Sequence, residues 1–160
     1  MRLKIIATGG TIDKIYFDAT SEFEIGEPLI GKVLQDGGAE FDYEIVPLMR
    51  KDSLDLTDED RKLIRDTVMA GDARYVLITH GTDTMTETAA ALGDVGQRTV
   101  ILTGALSPAR FQITDAVFNA GLAVGAVQCK PPGVYIAMNG RVFDADKVRK
   151  NRERNCFEKI

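Results

Sequence analysis

Thr11, Thr82 and Asp83 are the side chains in this sequence best suited to chemistry. Each threonine follows an apolar run and a glycine, in Ile5-Ile6-Ala7-Thr8-Gly9-Gly10-Thr11-Ile12 and in Val76-Leu77-Ile78-Thr79-His80-Gly81-Thr82-Asp83-Thr84. A threonine hydroxyl is a poor nucleophile near neutral pH until a neighbouring base takes its proton. Asp83 adjoins Thr82, but an ordinary carboxylate is too weak a base to do this alone. A lysine that is partly desolvated or coupled to an acid is better suited, and spacing does not say which lysine reaches the threonines. Taken singly, the threonines and Asp83 also fit caps of the turn or helix that follows, and Ser53 with Asp52 fits a turn.

Other chemistries are excluded or weakened by what the sequence lacks. Thr8-Gly9-Gly10-Thr11 has no third glycine of a dinucleotide fingerprint, and no segment has phosphate-loop spacing, so no cofactor is expected. With His80 as the single histidine, neither a metal site nor a histidine relay is supported, and His80 reads as a hydrogen-bonded structural residue. Cys129 and Cys156 form no close pair and are expected to be reduced thiols. A formal net charge of -4 argues against a nucleic-acid or anionic-membrane partner. The basic cluster over residues 147–154 reads as a solvated tail or helix face. The opening apolar stretch is too short for a secretory signal, and no run approaches the roughly 18 apolar residues of a membrane span, so a cytoplasmic protein is expected.

The elements that must position these residues alternate along the chain. Apolar runs predict strands over residues 3–7, 43–47, 75–79, 100–102 and 134–138. Helices are predicted over 29–35, from Thr57 to about Met69, over 85–92 and over 115–126. Thr57 and Asp60 have the spacing of a capping box, with Leu56 ahead of them. Alternation of this kind predicts an α/β fold, three-layer α/β/α, with a largely parallel, doubly wound sheet of the flavodoxin or Rossmann type. Its strand ends would gather the loops 8–18, 48–55, 80–84, 103–111 and 139–146 along one edge. With 160 residues and no Pro/Gly/Ser-rich linker, residues 1–160 read as one domain.

The sequence resembles the bacterial-type L-asparaginase family. The resemblance rests on Ala7-Thr8-Gly9-Gly10-Thr11-Ile12 and on Ile78-Thr79-His80-Gly81-Thr82-Asp83-Thr84-Met85-Thr86-Glu87-Thr88-Ala89. It extends through Pro47-Leu48-Met49-Arg50-Lys51-Asp52-Ser53-Leu54-Asp55, Thr103-Gly104-Ala105-Leu106-Ser107-Pro108 and Asp115-Ala116-Val117-Phe118-Asn119-Ala120. It implies hydrolysis of a small-molecule amide, nominally L-asparagine to L-aspartate and ammonia, without metal or cofactor. Thr11 would be the first catalytic threonine, attacking the amide carbon or assisting a water. Thr82 would be the second, with Asp83 orienting it and binding the substrate's amino group. Ser53 would bind the α-carboxylate. Lys150 corresponds to the family's catalytic lysine, taking a proton through Thr82, and backbone N–H groups near Thr82 and Ala105 would hold the oxyanion.

Two departures accompany the resemblance. Phe23, within Ser21-Glu22-Phe23-Glu24-Ile25-Gly26, stands where the family has an activating tyrosine. Tyr16 is the candidate substitute, Glu24 a further loop contributor, and Leu54 occupies a place that can be polar. The sequence also ends before the family's second, C-terminal domain, so a homo-oligomer partner is expected to wall the site. The alternative reading is a non-catalytic amino-acid-binding or regulatory module descended from such an enzyme.

Overall fold

The computed structural model describes residues 1–17 and 22–160. Its strands are β1 (Arg2–Gly9), β2 (Lys14–Phe17), β3 (Glu22–Ile25), β4 (Asp42–Lys51), β5 (Tyr75–Thr79), β6 (Thr99–Thr103), β7 (Gly133–Met138), β8 (Arg141–Asp144), β9 (Val148–Asn151) and β10 (Cys156–Lys159). The helices are α1 (Ile30–Asp36), α2 (Asp58–Met69), α3 (Met85–Leu92) and α4 (Ala116–Cys129). One sheet holds six strands in the order β4-β1-β5-β6-β7-β8. All neighbours pair parallel except β7 with β8. Numbered along the chain, the parallel strands run 2-1-3-4-5, the doubly wound order whose crevice opens where the winding reverses. That point lies between β1 and β5, the strands that precede Thr11 and Thr82.

Strand side chains alternate between two faces, and each face finds its own helices. Ile6, Val76, Ile78, Val100, Leu102 and Ile136 pack with Ile64 and Val68 of α2 and with Met85, Ala89 and Leu92 around α3. Leu3, Ile5, Leu77, Ile101 and Ala137 face the other way, onto Ile30 and Val33 of α1 and Ala120, Ala123 and Val127 of α4. The three-layer α/β/α expectation is thus met. Pro47 interrupts β4, which is tolerable because β4 is the sheet's edge and its missing N–H leaves no ladder partner stranded.

Helix α2 carries both bonds of the expected capping box: the Asp60 N–H donates to Thr57 Oγ1 at 3.3 Å, and the Thr57 N–H donates to Asp60 Oδ2 at 2.9 Å. Its last turn has no basic residue of its own. Lys4, 8% exposed on β1, supplies the charge there, donating to the carbonyls of Thr67 at 2.6 Å and Ala70 at 3.1 Å.

Three pairings differ from the sequence reading. The segment after Thr11 forms the antiparallel β2–β3 hairpin, with Tyr16 opposite Phe23. Asp18 and Ser21, which fall in the expected loop segments, lie outside the described residues. Residues 139–146, expected as a loop, begin with a two-residue turn at Asn139 (φ 54°) and Gly140 (φ 75°) and continue as β8. Left-handed backbone at both turn positions suits the right-handed twist of a hairpin, and Asn-Gly is the pair that adopts it most readily. The basic segment is not a tail or helix face but β9, paired with β10. Strand periodicity turns Val148 inward and Arg149 outward, with Arg149 bonded to Glu158 at 2.7 Å. Among the described residues no helix is long and apolar enough to cross a membrane, and both cysteines are free.

Candidate active site

Two glycines bring the turn after β1 against the turn after β5. Register between β1 and β4 shifts after Ala7, Gly9 and Gly10 have φ of 97° and 84°, and the Gly10 N–H donates to the Lys51 carbonyl at 3.0 Å. Thr11 then opens a single 3-10 turn, Thr11–Asp13. A Cβ on Gly10 would run into the backbone of Gly81 and His80, so the two signature turns touch main chain to main chain. Only glycine permits both that approach and that φ.

The second turn is fixed by buried polar contacts. The His80 N–H donates to the Thr103 carbonyl at 2.9 Å. Its Nδ1 donates to the Gly81 carbonyl at 2.6 Å, and the Thr88 hydroxyl donates to Nε2 at 2.8 Å. A carbonyl can only accept, so the proton sits on Nδ1. Burial pushes the imidazole down to about 4, against a smaller upward pull from the Gly81 bond, and the ring is neutral at pH 7. His80 therefore serves as a brace. Ser53, 1% exposed, is a second brace: its Oγ accepts the Asp83 N–H at 3.3 Å, and its carbonyl accepts the Thr84 hydroxyl at 2.7 Å. Asp52 caps the turn Ser53–Asp55 through the Leu54 N–H and pairs with Lys14 at 3.0 Å. Partial burial raises the Asp52 carboxyl, but the Leu54 N–H and the Lys14 ammonium outweigh it and hold it below the usual range.

Lys150 enters from β9. Its Nζ donates to Thr82 Oγ1 at 2.8 Å and to Asp83 Oδ1 at 2.7 Å. The lysine side chain is 9% exposed and that of Asp83 36%, so the pair lies half in the protein and half open to solvent. Thr82 itself is buried. Lys150 lies opposite Phe157 across the β9–β10 ribbon, and opposite residues share a face. Phe157 is buried in the core, which drives that face, and Lys150 with it, against the body of the protein.

Ala105 is buried against Ile12 and Ala116. Its backbone is oriented from both sides. The Asn119 Nδ2 donates to the Gly104 carbonyl at 3.0 Å, and the Leu106 and Ser107 N–H groups each donate to Asp115 Oδ1 at 3.0 Å. Tyr16, Phe23 and Glu24 are not among the hydrogen-bond partners of the group around Lys150. The Tyr16 and Phe23 rings meet edge-on at 5.4 Å, Phe23 leans on Phe111 at 6.1 Å, and both hairpin rings are about half exposed. Glu24 with Phe23, Lys14, Arg50, Asp52 and Asp55 borders an open depression of about 390 Å³ beside Ser53. Among the described residues no group of three or more His, Cys, Asp or Glu side chains could hold a metal.

Asp13 is a carboxyl that sequence reasoning passed over. It is 1% exposed, its Oδ1 accepts the Leu29 N–H at 2.9 Å, and its carbonyl accepts the Gly26 N–H at 2.9 Å. Burial pushes it up to about 6, only partly offset by the Leu29 bond. The folded state therefore holds a proton that the unfolded chain has released above about pH 4. Stability from this group is present at low pH and is lost as pH rises to about 6. His80 has the opposite slope, since its folded value is depressed: its contribution is present above about pH 6.5 and is lost as pH falls towards 4. Asp13→Asn keeps the acceptor and removes one slope. Relative to wild type it is expected to lose about 2 kcal/mol on acidification across pH 6 to 4. Urea denaturation in that interval checks it, and parallel curves for the two proteins would refute it.

The Asp115–Asn119 scaffold was also not assigned a role by sequence reasoning. An aspartate and an asparagine spaced four apart at a helix start are the signal that could have found it.

Residues 2–160 match the family described as asparaginase, N-terminal. The L-asparaginase of Thermococcus kodakarensis is 30% identical over 172 residues, covering 100% of this chain and 51% of the relative. L-asparaginase 2 of Bacillus subtilis is 28% identical over 170 residues, covering 92% and 43%. Among solved structures, the thermostable L-asparaginase from Thermococcus kodakarensis superposes with a TM-score of 0.87 at 26% identity, covering 100% of this chain and 51% of that one. L-asparaginase I from Vibrio cholerae superposes at 0.84 and 26% identity, covering 99% and 51%. The chain spans about half the length of the curated relatives it matches. With nearly its whole length matched and its strand order reversing between the two threonine turns, the chain belongs to the asparaginase family, as an asparaginase N-terminal domain.

Proposed function

We propose that this chain is an amidohydrolase acting on a small side-chain amide, with L-asparagine as the first substrate to test. The observation that carries the reading is the convergence of Lys150 on Thr82 and Asp83 at 2.8 and 2.7 Å. A lysine from a late strand, desolvated between a hydroxyl and a carboxylate, is poorly explained as a surface charge. In this reading the Thr11 hydroxyl attacks the amide carbon directly or assists a water. The attacking oxygen, of Thr11 or of a water, gives up its proton to the Thr82–Lys150–Asp83 group as the C–O bond forms. The group returns it to the amide nitrogen as the C–N bond breaks and ammonia leaves, so the group ends with the charge it began with. Where Thr11 attacks, a water then cleaves the ester by the same route. Peptide N–H groups at Thr82 and Ala105 face the developing oxyanion, and they cost little to reorganise because their turns are braced by His80 and Asp115. Among the described residues Ser53 Oγ only accepts, from the Asp83 N–H, which leaves its hydroxyl proton for a carboxylate. Residues 1–160 work as one domain here, and a second copy of the chain covers the open side of Asp83.

Ammonia release from asparagine, glutamine and a panel of larger amides tests the reading. Wild type is expected to be active, and Thr11→Ala to lose about 10³-fold or more in kcat, as removal of an activated nucleophile does. No ammonia from any amide, together with saturable asparagine binding by calorimetry, would instead establish a non-catalytic binding module.

A further inference from the structure

Lys150 reaches Thr82 from a two-stranded ribbon, and such a ribbon is marginal by itself. Something must register it against the sheet. Val148 and Phe157 anchor it through apolar burial, but apolar contact alone does not fix position along the strand. The polar contact that does so is the Phe157 N–H, which donates to Asn139 Oδ1 at 3.0 Å. Phe157 is the residue paired with Lys150.

Asn139 is itself held firmly. Its backbone sits in the left-handed region at φ 54°, at the first position of the β7–β8 turn. Its N–H donates to Asn119 Oδ1 at 3.2 Å, and Asn119, 1% exposed, bonds through Nδ2 to the Gly104 carbonyl at 3.0 Å and to Asp115 Oδ2 at 2.8 Å. One connected hydrogen-bond path thus joins the peptide before Ala105 to the residue opposite Lys150. Asn119 is buried and Asn139 lies exposed at the turn, so the path runs from the interior to the surface, and a slip of the ribbon would leave the Phe157 N–H without its acceptor.

We propose that Asn139 is a positioning residue that sets Lys150 against Thr82 and Asp83. The inference rests on the amidohydrolase reading for its consequence, though not for its geometry. Two variants separate the side-chain bond from the turn. Asn139→Gly preserves the left-handed turn and deletes the acceptor, whereas Asn139→Asp retains both.

The first measurement is reductive methylation of lysines, followed site by site by mass spectrometry. Lys4, on β1, provides the internal reference, since it is similarly enclosed and is held away from the ribbon by the Thr67 and Ala70 carbonyls at the end of α2. In Asn139→Gly, Lys150 is expected to react about tenfold faster than in wild type while Lys4 is unchanged, and Asn139→Asp is expected to restore the slow rate. The second measurement is steady-state ammonia release. A displaced proton relay lowers kcat, here by about tenfold, and leaves KM within about twofold. Unchanged Lys150 labelling in Asn139→Gly would overturn the assignment, as would equal acceleration of Lys4 and Lys150, which is general loosening. If wild type hydrolyses no amide, the amidohydrolase reading fails while the labelling arm still decides the role of Asn139.

Discussion

Replacing Lys150 with methionine is expected to lower kcat for amide hydrolysis by about 10² to 10⁴, the usual contribution of a positioned proton-transfer group. Methionine keeps most of the apolar stem beside Phe157 and removes the ammonium. Thr82 Oγ1 then loses its 2.8 Å donor and Asp83 its 2.7 Å partner. Asp83 has 36% of its side chain exposed, so it recovers water when the pair is broken. The stability loss is accordingly small, about 1 kcal/mol, as for other partly exposed ion pairs. Ammonia release and a thermal melt on the same preparation check both halves of the expectation. Full activity in a folded Lys150→Met protein would remove Lys150 from the mechanism.

Gly10→Ala is expected to have the largest effect on the architecture of the site. At φ 84° and ψ -171° Gly10 lies in a region essentially reserved to glycine, and a side chain there costs about 1–3 kcal/mol from its backbone alone. The added methyl would also overlap the main chain of Gly81, which cannot move aside as a flexible side chain can. The two turns must part, and the total destabilisation is expected to reach about 3 kcal/mol or more, with activity abolished in whatever folds. Gly71→Ala separates the two contributions. Gly71 has φ 76° but nothing within 4 Å of a Cβ, so it should lose only the backbone part and leave activity unchanged. Urea midpoints and ammonia release for the two variants make the comparison. Equal destabilisation would mean that the contact between the turns contributes nothing.

The legible parts of this fold are those whose signals are local. Strand β5 and helix α3 fall on the residues read from sequence, Tyr75–Thr79 and Met85–Leu92, because an unbroken apolar run bounded by turn residues has few alternatives. The Thr57–Asp60 capping box is legible for the same reason, its partners being three residues apart. The hairpins were less so. In β2–β3 the described residues of the second strand are exposed or half-exposed, and in β9 the residues Arg149 and Lys150 mask a strand whose inward face is short. Asn139-Gly140 carries a strong turn signal, yet β8 beyond it has four residues and a single buried side chain, too little apolar pattern to mark a strand.

By itself, then, the sequence determined the layered α/β plan and the two glycine–threonine turns, since periodicity and glycine chemistry act over a few residues. Resemblance added the identity of Lys150 and the other candidate residues. Only the tertiary structure decided that Lys150 meets Thr82 and Asp83, that Ser53 and His80 are buried braces, and that Asn139 joins the Ala105 turn to the lysine's strand. Those relations depend on distances between residues far apart in the chain. They are set by which apolar faces bury together, and no local pattern encodes that choice.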